Sequence, residues 1–204
     1  MISQLHKTAA ALAERGFEPH VFDTAEQAAG FVLSAVAPGA LVAVGGSMTI
    51  KNLGLADRLR AQGHEVLWHW EAAPADRPAL LARAMHADMY LASANALTEA
   101  GQIVQIDGTG NRVGAMTYGV KTVCLIVGRN KLVSGGYAQA VQRIKSVACP
   151  KNAQRLGLDT PCARTGKCNA AKCRNSMCSV TGVFDRAPGG RRFIVLLVDE
   201  ELGY

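Results

Sequence analysis

Short apolar runs of strand length alternate along this chain with segments whose apolar positions recur at helical spacing. Met1 to Arg15 reads as an amphipathic helix stopped by Gly16, and Glu18 to Phe22 as a short strand. Thr24 has Gln27 three residues on, the spacing of a capping box, so a helix starts there and runs through Val36 to stop near Pro38-Gly39. Ala40 to Val44 is a buried strand followed by the turn Gly45-Gly46-Ser47. Thr49 to Gln62 reads as one helix ended by Gly63, His64 to Trp68 as a strand, Arg77 to His86 as a helix and Met89 to Ala92 as another buried strand. Strands that alternate with helices in this way predict an α/β fold, a mainly parallel sheet with helices on both faces.

The pattern then changes. Ile103 to Ile106 is a strand, and the dense turn Asp107-Gly108-Thr109-Gly110-Asn111 after it suggests a hairpin inserted into the alternating fold. Thr122 to Val127 returns to the buried parallel type, Tyr137 to Val147 is helical, and Arg192 to Val198 is a final strand. Residues 149–190 hold five of the six cysteines and show little periodicity. The expected organisation is an α/β core over 1–148, a loop-rich, Cys-containing module over 149–191 packed on it, and a last strand and C-terminus over 192–204 that rejoin the core.

A chain of 204 residues suits one domain. Aromatics make up only 5%, so the core is built mainly from Ala, Val, Leu and Ile. The longest apolar runs, such as Phe193 to Val198, fall far short of the roughly 20 residues of a spanning helix. The N-terminus lacks a basic segment followed by an apolar one, so no membrane partner and a cytoplasmic location are expected. The net charge of +6 hides an asymmetry: residues 1–110 carry seven basic against eleven acidic residues, and residues 111–204 carry fifteen against five. A basic half implies either an anionic partner or a solvated basic face. Nucleic acid ranks last as that partner. Only Tyr118, Tyr137, Phe184, Phe193 and Tyr204 occur there to stack on bases.

Four segments carry candidate chemistry. Gly45, Gly46, Ser47 and Thr49 follow a strand and open a helix, where glycines admit close backbone approach and free N–H groups favour an anion; an ordinary turn with Ser47 as N-cap is the plain alternative. The segment lacks the Lys of a phosphate-binding loop and the third Gly of a dinucleotide fingerprint. Asn95, Thr98 and Glu99 follow the Met89–Ala92 strand, either at a ligand edge or as turn and cap residues. Asp107, Gly108, Gly110, Asn111 and Arg112 combine turn formers with one acid and one base, for a ligand or for an internal Asp–Arg pair. Asn130 and Lys131 follow the Thr122–Val127 strand, where a Lys beside an Asn holds an anion or forms a solvated loop. Three of the four follow parallel-type strands, so they should meet at the carboxyl edge of one sheet. Glu99 and Asp107 are the acids available there as a general base. His64 and His69, with Trp68 and Trp70 close by, read as core or surface residues.

These segments in order resemble the successive signatures of the LUD-domain (DUF162-type, lactate utilisation) family, and Ala148-Cys149-Pro150-Lys151-Asn152, Thr160-Pro161-Cys162, Thr165-Gly166-Lys167-Cys168 and Glu201-Leu202-Gly203-Tyr204 extend the likeness. The resemblance implies a fold similar to the CoA-transferase and sugar-phosphate isomerase superfamily. It also implies a place in L-lactate utilisation beside iron–sulfur oxidoreductase subunits. It names no mechanism, leaving open whether the chain is an enzyme and whether it pairs with a second copy of itself.

Cys162, Cys168, Cys173 and Cys178 form a C-x5-C-x4-C-x4-C run. Four thiolates this close admit zinc or an iron–sulfur cluster, redox-active free thiols, or inert loop residues. The spacing matches neither zinc knuckles nor ferredoxins, and the run departs from the family's Asp-Cys pair, since Ala170-Ala171 stands there and Cys173 comes two residues later. Cys124 reads as a small core residue and Cys149-Pro150 as a helix end. Two functions follow. One is organic-acid utilisation through a small anion bound at the sheet edge; the other is a non-catalytic redox or metal-binding regulatory module using the cysteine run.

Overall fold

Burial on both faces of a parallel sheet organises the molecule. The computed structural model describes residues 2–204. Strands β1 (Glu18–Phe22), β2 (Leu41–Val44), β3 (Glu65–Trp68), β4 (Met89–Ala92), β7 (Thr122–Gly128) and β10 (Arg192–Val198) form a six-stranded sheet in the order β1-β10-β7-β4-β2-β3. Every pairing in it is parallel. Successive strand side chains point to opposite faces, so each strand feeds two cores. Met89 and Leu91 of β4, with Cys124 and Ile126 of β7, join one core; Tyr90 and Ala92, with Val123, Leu125 and Val127, join the other. The first is covered by α2 (Ala25–Ala35), α3 (Met48–Asn52) and α4 (Leu55–Ala61), the second by α1 (Ile2–Glu14), α5 (Arg77–Ala84) and α6 (Asn111–Thr117). Among the described residues no helix is long and apolar enough to cross a membrane.

Local signals account for several boundaries. The capping box at α2 is formed: Gln27 N–H donates to Thr24 Oγ1 (3.3 Å) and Thr24 N–H to Gln27 Oε1 (3.1 Å). The helix expected over Thr49–Gln62 is instead two, because Gly54 adopts φ +60° between α3 and α4. The apolar spacing continues across that break, which hides it from a periodicity argument, and glycine enters the left-handed region without steric penalty.

A second sheet, in the order β8-β5-β6-β9, is made of β5 (Ala96–Thr98), β6 (Ile103–Asp107), β8 (Leu132–Val133) and β9 (Val180–Phe184). The inserted hairpin exists, but its turn is Glu99–Gln102, between the antiparallel β5 and β6. The turn formers at Asp107–Asn111 lead into α6 instead. Gly110 takes φ +81° before the helix, and Val113 N–H in its first turn donates to Asp107 Oδ2 (2.7 Å).

Helix α7 (Tyr137–Arg143) continues through a π-helical turn, Ile144–Ala148, into α8 (Cys149–Arg155), which α9 (Pro161–Thr165) follows. Cys149-Pro150 therefore does not end the helix: Cys149 N–H donates to Ile144 O across the π-helical turn, and α8 follows directly. Residues 149–191 are thus less loop-rich than their pattern suggests, and β9 within them completes the second sheet against β6. A third core, with Ala96, Val104 and Ile106 against Ala140, Ile144, Ala148 and Cys149, holds this sheet to the α7–α8 rod.

Gly128 ends β7 beneath the C-terminal tail. A Cβ there would lie 2.6 Å from Leu202 N and 2.7 Å from Glu200 O. Gly128→Ala is expected to displace the tail and lower stability by about 1–3 kcal/mol, the usual cost of overpacking. Urea unfolding checks this, and an unchanged midpoint would contradict the close packing.

Candidate functional site

The loops that follow β2, β3, β4 and β7 all emerge at the carboxyl edge of the parallel sheet, where open α/β sheets hold their ligands. Between them and the second sheet lies a cavity of about 610 Å³. Of the residues expected to form a site, Gly46, Ser47, Thr49, Asn95, Asp107, Gly108, Asn111, Arg112 and Lys131 line it.

Lys131 lies at the floor. It is carried by a 3-10 turn, Arg129–Lys131, directly after β7, and is 3% exposed. Its Nζ donates to Thr49 Oγ1 (2.9 Å), beyond β2, and to Ser93 Oγ (2.7 Å), beyond β4. Both hydroxyls already donate elsewhere, Thr49 to Leu202 O and Ser93 to Ile126 O. Burial, and then the guanidinium charges of Arg143 and Arg112, hold the Lys131 amine well below the usual lysine range.

Asp107 and Arg112 form a buried ion pair on the second-sheet side. Arg112 Nε donates to Asp107 Oδ1 (3.0 Å), and its Nη2 donates to Asn95 Oδ1 (2.9 Å) and Ile106 O (3.0 Å). Asn95 Oδ1 also accepts from Ile106 N–H (2.9 Å). Arg143 donates to Asn130 O (2.9 Å) and Asn95 O (2.6 Å), and burial brings its guanidinium down to about 10. No carboxylate lies within ion-pair distance of Arg143 or of Lys131 among the described residues.

Other expected residues serve the walls. Gly45 packs on Tyr90, where a Cβ would lie 3.0 Å from the hydroxyl. Thr98 is buried and its hydroxyl accepts from Gln102 N–H (3.0 Å), closing the β5–β6 turn. Gly110 supplies the positive φ before α6. Asn130 Oδ1 accepts from Leu202 N–H (3.1 Å) and anchors the tail. Glu99 is exposed outside the cavity, where it accepts from Gln4 and from Ser134. Among the described residues Asp107 is thus the one acidic side chain that lines the cavity.

Sequence reasoning passed over several lining residues. His69 and Trp70, set aside as core or surface residues, stand on the wall beyond β3, and burial lowers the His69 imidazole from its usual range. Arg155 lies over the Trp70 ring at 4.4 Å. Lys51, Arg77 and Arg155 add exposed positive charge at the rim. Their common feature, a place just after a strand or at a helix end of the same edge, appears only once strand order is known.

Cys149 and Cys178, twenty-nine positions apart, face each other across the cavity wall with sulfurs 3.4 Å apart. The hydrogen bond from Cys149 and, against the cost of burial, the Lys145 ammonium hold the Cys178 thiol well below its usual range. The same hydrogen bond, with burial, pushes Cys149 up. Of the other cysteines of the run, Cys162 lies near enough to act electrostatically on Cys149, and Cys168 on Lys145. Cys162 is buried against Thr160, Cys168 is exposed and Cys173 is half-buried. Among the described residues no three His, Cys, Asp or Glu side chains are grouped so as to hold a metal ion. Cys124 is a core thiol that burial pushes up to about 12.

Comparison with known proteins adds the following. The LUD domain matches residues 5–198. A DUF162 family protein from Deinococcus radiodurans, 17% identical, superposes with a TM-score of 0.55 over 96% of each chain, a likeness of fold. A tetrameric eIF2B-beta2-delta2 complex from C. thermophilum, also 17% identical, reaches a TM-score of 0.39 over 58% of this chain and 47% of that one. No curated protein matches the chain.

Two outcomes follow from the geometry. Arg112→Ala leaves Asp107 buried without its cation and is expected to lower stability by about 3–5 kcal/mol in urea unfolding; a change below 1 kcal/mol would show the pair to be solvated. At pH 7 iodoacetamide should alkylate Cys178 before the more exposed Cys168, because the thiolate is the nucleophile, and Cys149→Ala should slow it. Peptide mapping that finds Cys168 modified first would contradict the paired arrangement.

Proposed function

The chain belongs to the LUD-domain family, and from that premise we propose that it serves organic-acid utilisation, L-lactate in the first place, by holding a small anionic ligand in the cavity at the carboxyl edge of its parallel sheet. The observation that carries this reading is the charge of the lining. Lys51, Arg77 and Arg155 line the rim of the cavity, and among the described residues Asp107, the one acidic side chain in the lining, is already paired with Arg112. The buried Arg143 behind the wall adds a further cation bonded only to backbone carbonyls. A concave surface lined by charge of one sign gathers ligands of the opposite sign more strongly than the same charge on an open surface. The cavity size suits a metabolite rather than a polymer. Iron–sulfur oxidoreductase subunits are the partners this role calls for.

A second reading rests on the Cys149–Cys178 pair at the same wall: a redox-regulated module in which these two thiols, rather than the whole Cys162–Cys178 run, are the responsive group. The two readings share one cavity.

Thermal unfolding tests the first. L-lactate, acetate, phosphate and coenzyme A are titrated at constant ionic strength. A ligand at ten times its Kd adds about 1.4 kcal/mol, or roughly 3–6 °C for a chain of this size. Lys131→Met should lose the shift while keeping its fold. No shift with any of these anions overturns the proposal.

A further inference from the structure

Lys131 is the one lysine, among the described residues, that the fold buries. Its surroundings are not those of a charged group. A buried ammonium normally keeps a carboxylate beside it, because an unpaired ion in a low-dielectric interior costs several kcal/mol. Here the neighbours are two hydroxyls, and the nearest charges are guanidinium groups of the same sign.

The hydrogen-bond directions are equally specific. Thr49 and Ser93 each give their hydroxyl hydrogen to a backbone carbonyl, so both can only accept from Nζ. An uncharged amine has two N–H bonds, and these two acceptors take both. Its remaining tetrahedral position is the lone pair, and no bonded partner in the protein occupies it among the described residues, while Lys131 borders the cavity. Lysines desolvated in this way, beside other cations, are the ones that act as nucleophiles toward carbonyl carbon.

We propose that Lys131 forms an imine with a small carboxylate that carries a 2-oxo or aldehyde group. This rests on the reading of the cavity as a site for small organic anions and names their class. The Nζ lone pair attacks the carbonyl carbon, and the C=O π pair moves to oxygen. That oxygen takes up a proton as nitrogen loses one, giving a carbinolamine. The nitrogen lone pair then expels the hydroxyl, which takes the proton left on nitrogen and departs as water, leaving a C=N bond. Nothing is oxidised or reduced, and water is the other product. Arg112, on the cavity wall, and Arg143, behind it, place their charges near Nζ and favour a carbonyl that has a carboxylate beside it.

Reductive trapping tests this on the whole chain. The protein is incubated at pH 7 with pyruvate or glyoxylate and sodium cyanoborohydride, then examined by intact mass and peptide mapping. The expected product is a single adduct of the oxo acid less water plus two hydrogens, on Lys131. It should exceed any exposed lysine by at least about tenfold, since a lysine solvated by water is a far weaker nucleophile than a desolvated one. L-lactate, which has no carbonyl, should give no adduct and should compete with trapping. Lys131→Arg and Lys131→Met should lose the adduct with unchanged circular dichroism, and the position of the adduct in the wild-type map decides the matter should either variant fail to fold. Adducts spread over surface lysines, or none at all, overturn the proposal. A thermal shift with L-lactate but no trapped adduct overturns the imine and leaves the anion site standing, whereas neither shift nor adduct removes both.

Discussion

One buried amine joins the parts of this molecule that matter for its site. Lys131 reaches from the end of β7 to Thr49 beyond β2 and Ser93 beyond β4, and Thr49 passes the connection on to the C-terminal tail at Leu202. Adjacent parallel strands are fixed to one another by their ladders, but the loops beyond their ends are not. A hydrogen-bonded group shared by three such loops supplies that missing restraint. It also sets a condition on the rest: Gly128 must lack a side chain so that the tail can lie close, and Asn130 must turn its amide inward to receive Leu202 N–H.

The opposite wall depends on a second knot. Asp107 caps the first turn of α6 through Val113 N–H and pairs with Arg112 of the same helix, while Arg112 reaches Asn95 and Ile106. A buried ion pair of this kind contributes little net stability when complete, but it is severely damaging when broken. Its function here is positional. It fixes the second sheet, through β6 and the loop before β5, at a set distance from the parallel sheet and so keeps the cavity open. Among the described residues the pairing also engages the one acidic side chain of the lining.

Much of this was legible in the residues. The alternation of apolar runs gave the parallel sheet and its two covered faces, and Ser47, Thr49, Asn95, Asp107, Arg112 and Lys131 do line one cavity, with Asp107 and Arg112 on its second-sheet side. What sequence could not separate was contact with the cavity from support of it. Thr98, Gly110 and Asn130 lie in the same motifs, yet they close a turn, start a helix and anchor a tail. Spacing reports which loop a residue belongs to, and hydrogen-bond partners report which way it faces. The Gly54 break was hidden because apolar spacing continues through it, and the hairpin turn was misplaced because residues that favour a turn also favour a helix start. His69 and Trp70 were missed because nothing local marks them; only the place of β3 beside β2 brings them to the site.

The Cys149–Cys178 pair was hidden for a related reason, and its origin is in the helix geometry. A π-helical turn widens the backbone by an added residue, a feature frequent at functional sites. Between α7 and α8 it spans Ile144–Ala148, immediately before Cys149. Ile144, Ala148 and Cys149 all line the cavity, together with Asn152 one turn further on. The irregular turn therefore directs a run of side chains from one continuous rod toward the site and places Cys149 opposite Cys178, which approaches from the segment before β9. Residues that the chain separates by twenty-nine positions become one pair of sulfurs on the cavity wall. The sulfur pair and the Lys131 amine thus border one cavity, brought there from opposite sides of the fold.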